Sequence, residues 1–324
     1  METRITNLLH NRLATIVTMA LAVVAAIVGW GRGDFLPVVD NLGLGLPSPG
    51  TWLGVSFLSL IISLAANVAM GMMIIWINRT YNTLRSLTHL GATLFFVMEC
   101  AMPQVMAQFY GGTLLALLMM WCASLLFSTY GSQTGQRRIY LIFFLLTLAG
   151  FFQVNFFLYV PVLLVGCAQM RVLKPRGITA ALLGIITSPW ILFGFGIVRP
   201  DMLSWPDMVL IWNLFDTGEM VKAIVITGFT LVSGIGFMSA NLLKILSYNA
   251  RTRAYNGFLN LLWIATALFT VLNFNDFSFY IPLLNLLTAY QAAHFFTYRR
   301  QRRSYVPVLV IICIYIVFCI WSFV

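Results

Sequence analysis

The run LATIVTMALAVVAAIVGW, from Leu13 to Trp30, contains 18 residues and no charged side chain. An α-helix needs about 20 apolar residues to cross the hydrocarbon core of a bilayer, with a range of about 17–25. The apolar core of a cleaved signal peptide is usually shorter, about 7–15 residues. The run, which follows Arg4 and Arg12, therefore predicts a first transmembrane helix rather than a signal peptide.

The whole chain has the same apolar character. Hydrophobic residues make up 60% of its 324 residues and charged residues 9%, whereas soluble domains have about 25% charged residues. A soluble fold of this size could not remove so much apolar surface from water. We therefore expect an all-α fold, a polytopic transmembrane helical bundle that forms a single membrane domain over residues 1–324 and has the lipid bilayer as its surroundings.

The hydrophobic pattern predicts about eleven spans. They cover residues 13–30, 51–77, 86–102, 109–127, 138–154, 155–170, 177–197, 220–246, 255–272, 277–296 and 306–323. The fifth and sixth are short and form a tight pair with a polar turn at Gln153 and Asn155, and Pro161 is expected to kink the sixth.

The distribution of basic residues predicts the orientation. With the N-terminus in the cytoplasm and the C-terminus outside, all but three of the 19 Lys and Arg residues fall on the cytoplasmic side, as topogenic charges do. The three on the outer side are Arg32, Arg199 and Lys222. Most acidic residues also fall outside, which reflects either the tolerance of outer loops for acids or a functional outer face.

Several functional classes are excluded by residue type. The basic residues stand in short clusters between spans and leave no basic domain outside the membrane, so no nucleic-acid partner is expected. The five cysteines form no CxxC pair, and the three histidines, His10, His89 and His294, cannot build a paired-histidine metal motif. We therefore expect no metal and no cofactor.

The first outer loop places one base and two acids just beyond the first span: Arg32, Asp34 and Asp40. In outline, this loop, the cytoplasmic N-terminus and the number of spans resemble the C-type membrane glycosyltransferases, which use polyprenyl-phosphate-linked sugars. The paired acidic motif which that family usually carries in this loop is absent here.

The resemblance implies roles for the outer residues. An acid must take a proton from the acceptor hydroxyl or orient it, and a base must hold the departing phosphate. Asp34 or Asp40 would be the catalytic acid, and Arg199 or Arg32 the phosphate ligand of a polyprenyl-phosphate-linked substrate. Asp201 or Asp207 would be the acid of the second outer loop. A solvated loop with ordinary turn residues is the alternative interpretation.

Glu99 is the acid placed nearest to membrane depth, toward the outer end of the third predicted span. Such an acid usually faces a cavity or a partner because burying a charge in lipid is costly. Glu99 is therefore a candidate substrate-binding residue, although a position at the interface is the alternative. The tenth predicted span carries Asn285, Gln291 and His294, which suggest helix packing or a polar groove.

Four stretches resemble an uncharacterised family of polytopic inner-membrane proteins of Bacteroidota. They are Ile77-Asn-Arg-Thr-Tyr-Asn82, Leu126-Phe-Ser-Thr-Tyr130, Gly150-Phe-Phe-Gln-Val-Asn-Phe-Phe-Leu-Tyr-Val-Pro161, and Arg176-Gly-Ile-Thr-Ala-Ala-Leu-Leu-Gly-Ile-Ile-Thr-Ser-Pro-Trp190. The resemblance implies a multi-pass protein of the bacterial inner membrane and carries no established activity.

Three functional hypotheses follow, each with a structural expectation. An envelope glycosyl transferase predicts a deep outer cavity lined by Asp34, Asp40 or Asp201 together with Arg199. A non-enzymatic subunit or scaffold of an envelope complex, bound to membrane protein partners, predicts an apolar side groove and no cavity. A transporter of a small solute or lipid predicts a cavity near the midplane that holds Glu99 or His294.

Overall fold

The structure is a computed structural model, and it describes residues 11–33, 35, 43–84, 88–132, 134–203, 218–243, 245, 248–298 and 305–323. Within these residues, all regular structure is helical. The thirteen α-helices of this part of the chain are α1 (Arg12–Arg32), α2 (Pro49–Leu53), α3 (Phe57–Tyr81), α4 (Leu90–Cys100), α5 (Pro103–Met106), α6 (Gly111–Phe127), α7 (Gln136–Phe152), α8 (Tyr159–Gln169), α9 (Pro175–Gly194), α10 (Gly218–Leu242), α11 (Ala250–Leu272), α12 (Phe277–Tyr298) and α13 (Tyr305–Ser322).

Five of these helices are long and apolar enough to cross a membrane, namely α1, α3, α9, α10 and α11. Their outer surfaces are apolar as well: Trp190, Val232 and Leu272 expose 71%, 70% and 73% of their surface. Large side chains of this kind are unfavourable in water and well solvated by lipid tails. The predicted all-α membrane bundle is confirmed at this level, while the number of spans stays a prediction.

Two helices depart from the predicted boundaries where the backbone is interrupted. The second predicted span begins at Thr51, but α3 begins at Phe57, because Gly54 adopts φ +53° and Ser56 caps the new helix by accepting a hydrogen bond from the Ser59 amide at 3.1 Å. The third predicted span extends through Met102, but α4 ends at Cys100. A helix cannot continue smoothly into Pro103, which lacks an N–H and clashes with the preceding turn.

Two smaller differences concern helix ends. The eighth predicted span reaches residue 246, whereas α10 ends at Leu242. Pro161, which was expected to kink the sixth span, lies in the first turn of α8, where its missing N–H has no intrahelical partner to lose. A short 3-10 segment, Val154–Leu158, precedes α8 after the extended residue Gln153.

The helix α12 forms the centre of the bundle. Every residue from Phe277 to His294 is buried, and the helix packs against α4, α6, α10 and α11. A helix that is largely apolar and has no distinct polar face is expected to be enclosed by other helices. Polar side chains on α12 must therefore find partners on these neighbours.

Contacts at both ends of the helices give their relative directions. Thr15 contacts Thr93 at 2.8 Å and Gly29 packs on Pro103, so α1 runs parallel to the α4–α5 segment. Asn285 meets Glu99 and Gly91 packs on Ala293, so α12 runs antiparallel to α4. These are the relative directions that the predicted alternation of spans requires.

We call the end of the bundle at which α1 begins the basic end. There Tyr81 donates to the Ser124 carbonyl, Tyr255 donates to the Phe127 carbonyl, and the Gly131 amide donates to the Met170 carbonyl. The described Lys and Arg residues at this end are Arg12, Arg79, Arg137, Arg138, Arg171, Lys174, Arg176, Arg251 and Arg253. Arg32, Arg199 and Lys222 lie toward the opposite end.

Candidate functional site: a polar column along the central helix

The outer-loop residues predicted to carry chemistry are only partly described. Asp34 and Asp40 lie outside the described residues. Arg32 ends α1 and is exposed; its Nη1 donates to the Phe323 carbonyl at 2.5 Å, and its guanidinium lies 5.3 Å from the centre of the Phe323 ring. Arg32 is thus held by the end of α13, and no contact with the second outer loop is described for it.

Arg199 and Asp201 follow α9, and both side chains are exposed. Their backbone is packed against the first outer loop, because Gly45 lies against Val198 and Met202. The Leu44 amide also donates to the Phe151 carbonyl at 3.0 Å. The structure therefore brings the described part of the first outer loop to the segment that carries Arg199 and Asp201.

The first part of the polar column is the aspartate cluster, formed by Gln153, Asn155, Asn273, Asp276 and Tyr280. Asp276 Oδ2 accepts a hydrogen bond from Asn155 Nδ2 and one from Gln153 Nε2 at 3.4 Å. Asn273 Nδ2 donates to Asn155 Oδ1 at 3.1 Å and to the Tyr280 hydroxyl at 3.2 Å. This cluster joins the turn before α8 to the turn before α12, at the end of the bundle opposite the basic end.

The second part is the glutamate pair, Glu99 and Asn285. Glu99 has an exposure of 0%, and its Oε1 accepts a hydrogen bond from Asn285 Nδ2 at 3.1 Å. Glu99 Oε2 is buried without a hydrogen-bond partner among the described residues. Glu99 is therefore a carboxyl that the protein fully encloses, and its Oε2 has no hydrogen-bond partner among the described residues.

The surroundings of Glu99 include a break in a helix. Residues Ala101 to Tyr110, which contain the short helix α5, are all buried, so this irregular segment runs inside the protein. The Tyr110 hydroxyl donates to the Ser278 carbonyl at 2.9 Å. Tyr110 therefore joins the end of this irregular segment to the first turn of α12.

The third part is the amide cluster, formed by Asn241, Asn256, Asn260, Tyr290, Gln291 and His294. Gln291 Nε2 donates to Asn260 Oδ1 at 2.5 Å, and Gln291 Oε1 accepts from Asn241 Nδ2 at 2.7 Å. Asn256 Oδ1 accepts from the Tyr290 hydroxyl at 2.9 Å, and Asn256 Nδ2 lies 3.3 Å from His294 Nε2. The cluster therefore ties α10, α11 and α12 together near the basic end.

The space enclosed by the amide cluster is too narrow to hold a water molecule. Its lining is mostly amides and His294, which together offer hydrogen-bond donors and acceptors. One further hydrogen bond lies along α12 between this cluster and the glutamate pair. In it, Trp263 Nε1 donates to Thr288 Oγ1 at 2.9 Å. The amide cluster is thus closed in this structure, but its side chains are of the types that form hydrogen bonds with a polar ligand.

The three parts follow α12 from one end to the other. Asp276 and His294 are 18 residues apart, about 27 Å at helical rise, which approaches the roughly 30 Å thickness of the hydrocarbon core. Three buried titratable residues lie along this path: Glu99, Asp276 and His294. We call the three parts together the polar column.

Sequence reasoning found some members of the column and missed others. It singled out Glu99 and the polar residues of α12, but not Asn241, Asn256 or Asn260. A signal for two of these exists, because Asn256 and Asn260 are four residues apart and so lie on one face of α11. Their partners on α12 are more than thirty positions away and cannot be identified from spacing.

We expect Thr288→Val to destabilise the protein. The substitution keeps the shape of the side chain and leaves the buried Trp263 N–H without its acceptor, which costs about 1–3 kcal/mol. Thermal unfolding of the purified protein in detergent measures the loss. The matched control is Thr113→Val, since the buried Thr113 hydroxyl has no partner among the described residues; an equal loss in both variants would contradict this account of the Trp263–Thr288 bond.

The fold and the site together define a class: a helical membrane protein whose interior holds a polar column with a fully buried carboxyl. The chain matches no protein-family model, no curated protein and no solved structure.

Proposed function

We propose that this protein is a proton-coupled transporter of the bacterial inner membrane that moves a small polar solute, with Glu99 as the residue that carries the proton. The observation that supports this most strongly is the enclosed Glu99 carboxyl, which is bonded through one oxygen to Asn285 and has no described partner at the other. Ionisable residues inside a membrane usually mark ion or substrate pathways and proton relays.

The proposed topology has eleven spans, with the basic end of the bundle in the cytoplasm. Lys and Arg residues near the ends of spans are retained on the cytoplasmic side, and the basic end carries most of the described ones. The aspartate cluster then faces the outside and the amide cluster the inside. The glutamate pair lies between them, about 12 Å along α12 from its first turn.

The broken helix at Glu99 fits this proposal. Irregular backbone at membrane depth occurs where it is buried in protein or lines a cavity, and substrate and ion sites of transporters are typically formed by discontinuous helices near the midplane. The segment between α4 and α6 has this character next to Glu99. A movement of this segment would expose the carboxyl to one side of the membrane.

The amide cluster is the proposed solute site. Asn and Gln amides both donate and accept hydrogen bonds, so they recognise an uncharged or zwitterionic polar solute better than an apolar one. Because the space inside this cluster is too narrow for water, the structure corresponds to a closed state of the proposed transporter. Binding of a solute requires α10 and α11 to separate from α12.

The test is solute-triggered proton movement in membrane vesicles that contain the overproduced protein. Amino acids, sugars and nucleosides are added separately to weakly buffered vesicles, and the external pH is recorded. We expect at least one of these classes to move protons with the wild type and none with Glu99→Gln. The control Asp201→Asn should behave as the wild type. The proposal is wrong if no class moves protons, or if Glu99→Gln responds like the wild type.

A lipid-linked glycosyl transferase acting at the outer face is the second candidate. The contact of Gly45 with Val198 and Met202 favours it, because it joins the two outer loops that carry the predicted catalytic and phosphate-binding residues. Its test is the envelope glycan profile of a knockout complemented with Asp34→Asn, Asp40→Asn, Arg199→Ala or Asp201→Asn. A stable variant that fails to restore the profile supports the transferase, and full restoration by all four contradicts it.

The scaffold hypothesis also has a matching feature. An apolar groove of about 490 Å³ opens along the side of the bundle between α1 and α13, with Val97 and Cys100 of α4 among its lining residues. An apolar side groove is the feature expected of a subunit that binds other membrane proteins. Recovery of a stoichiometric partner by co-purification in mild detergent would support this third candidate, and a monomer without a partner would contradict it.

A further inference from the structure

Two cysteines from distant parts of the chain face one another across the helix pair α4 and α13. Cys100 is the last residue of α4, and Cys319 lies three residues before the end of α13. Their Sγ atoms are 3.4 Å apart. Both cysteines are free thiols and partly exposed, and both line the apolar groove between α1 and α13.

We propose that Cys100 and Cys319 are a site of reversible disulfide formation. A disulfide needs an S–S distance of about 2.0 Å, so the two sulfurs must approach by about 1.4 Å. Arg32, at the end of α1, donates to the carbonyl of Phe323, which follows α13. A small shift of α13 against α4 would close the gap between the two sulfurs.

The reaction is a thiol–disulfide exchange with the disulfide of an envelope dithiol oxidase. A Cys thiolate of this protein attacks one oxidant sulfur and forms a mixed disulfide, which the second Cys resolves. The two thiols of this protein lose two protons and two electrons and form one S–S bond. The oxidant's S–S bond is cleaved and takes up those protons and electrons as two thiols.

The position of the pair fits such an oxidant. Both cysteines lie at the end of the bundle opposite the basic end, close to Arg32 and Phe323. In the proposed topology this end faces the outside of the inner membrane, where disulfides form and persist. The groove of about 490 Å³ leaves the thiols open from the side.

The disulfide would connect the residue next to Glu99 to α13. The effect of this disulfide rests on the proposed transport function. The disulfide would hold the end of α4 in place and stop the movement that exposes the Glu99 carboxyl. Oxidation would therefore switch transport off, and reduction would restore it. The formation of the bond itself does not depend on the function of the protein.

The other cysteines provide matched controls. Cys122 and Cys167 are fully buried, while Cys313 lies on α13 six residues before Cys319 and is exposed. Cys313 is therefore more exposed than Cys319 but has no described thiol beside it. The variants to compare are the wild type, Cys100→Ser, Cys319→Ser and Cys313→Ser.

The experiment treats membrane vesicles with diamide, blocks free thiols, and analyses the digested protein by mass spectrometry without reduction. We expect a cross-linked peptide containing Cys100 and Cys319 in the wild type and in Cys313→Ser, and its loss in the other two variants and after dithiothreitol. The proposal is overturned if the wild type yields no such peptide, or if Cys313 is cross-linked in its place.

Solute-triggered proton movement is then recorded in the same vesicles. We expect diamide to abolish it in the wild type and in Cys313→Ser, and to leave it unchanged in Cys319→Ser. If the cross-linked peptide forms while transport persists, the disulfide does not control the movement that exposes the Glu99 carboxyl. If the peptide forms and no solute moves protons in any reduced sample, the disulfide site stands and the proposed transport function fails.

Discussion

Dicyclohexylcarbodiimide is expected to modify Glu99 in the folded protein, and Glu99→Gln is expected to lose nearly all of this labelling. The reagent partitions into lipid and reacts with protonated carboxyl groups, which add across its C=N bond and rearrange to a stable N-acylurea. Glu99 is fully buried, so the reagent reaches it when the proposed movement of the segment between α4 and α6 exposes the carboxyl, whose Oε2 has no hydrogen-bond partner among the described residues. A neutral acid at membrane depth avoids the cost of a buried charge, so Glu99 should be a principal target.

Peptide mass spectrometry after labelling in membranes measures this result. The matched variant Asp276→Asn should keep the label on Glu99, since its carboxyl belongs to the aspartate cluster. A water-soluble carbodiimide should instead modify exposed acids such as Asp201. Label found on Asp201 and absent from Glu99 with the lipid-soluble reagent would contradict the account of Glu99 as a protonated carboxyl that becomes accessible from within the membrane.

Gly184→Val is expected to destabilise the protein strongly. Gly184 lies where α9 packs most closely on α7, and a Cβ at this position would approach the Tyr140 carbonyl oxygen to 2.5 Å and the Phe144 amide nitrogen to 3.0 Å. These neighbours are backbone atoms, so they cannot rotate away. Overpacking costs typically about 1–3 kcal/mol, occasionally more, and here it would also break the bond from Ser188 Oγ to the Phe144 carbonyl.

Thermal unfolding in detergent, followed by the loss of monomer in size-exclusion chromatography, measures this effect. Gly228→Val is the matched control, because Gly228 is also inside a helix and no described atom lies within 4 Å of its added Cβ. We expect a large loss of stability for Gly184→Val and a small one for Gly228→Val. Equal losses would show that helix propensity, and not the contact of α7 with α9, determines the outcome.

The helical bundle could be predicted from the sequence because lipid burial demands long apolar runs, and these are visible without tertiary information. The breaks inside apolar regions were less visible. The end of α4 before Pro103 and the gap at Gly54 interrupt segments whose hydropathy is continuous. A sliding average of hydropathy does not register a single backbone interruption, although Pro103 itself was a local signal for one.

The polar column was only half predictable. Glu99 could be recognised because an acid stands out in an apolar span, and Asn285 because an amide does the same. Their pairing joins residues 186 positions apart and depends on the packing of α12 against α4. The thiol pair Cys100 and Cys319 escaped prediction for the same reason, since each cysteine alone resembles a small apolar packing residue.

Uphill accumulation of solute in proteoliposomes tests proton coupling through Glu99 most directly. The purified protein is reconstituted with the solute class found in vesicles, and a pH gradient is imposed as the only driving force. We predict that the wild type concentrates the solute inside, whereas Glu99→Gln only equilibrates it across the membrane. Accumulation by Glu99→Gln equal to that of the wild type would contradict a role for Glu99 in carrying the proton.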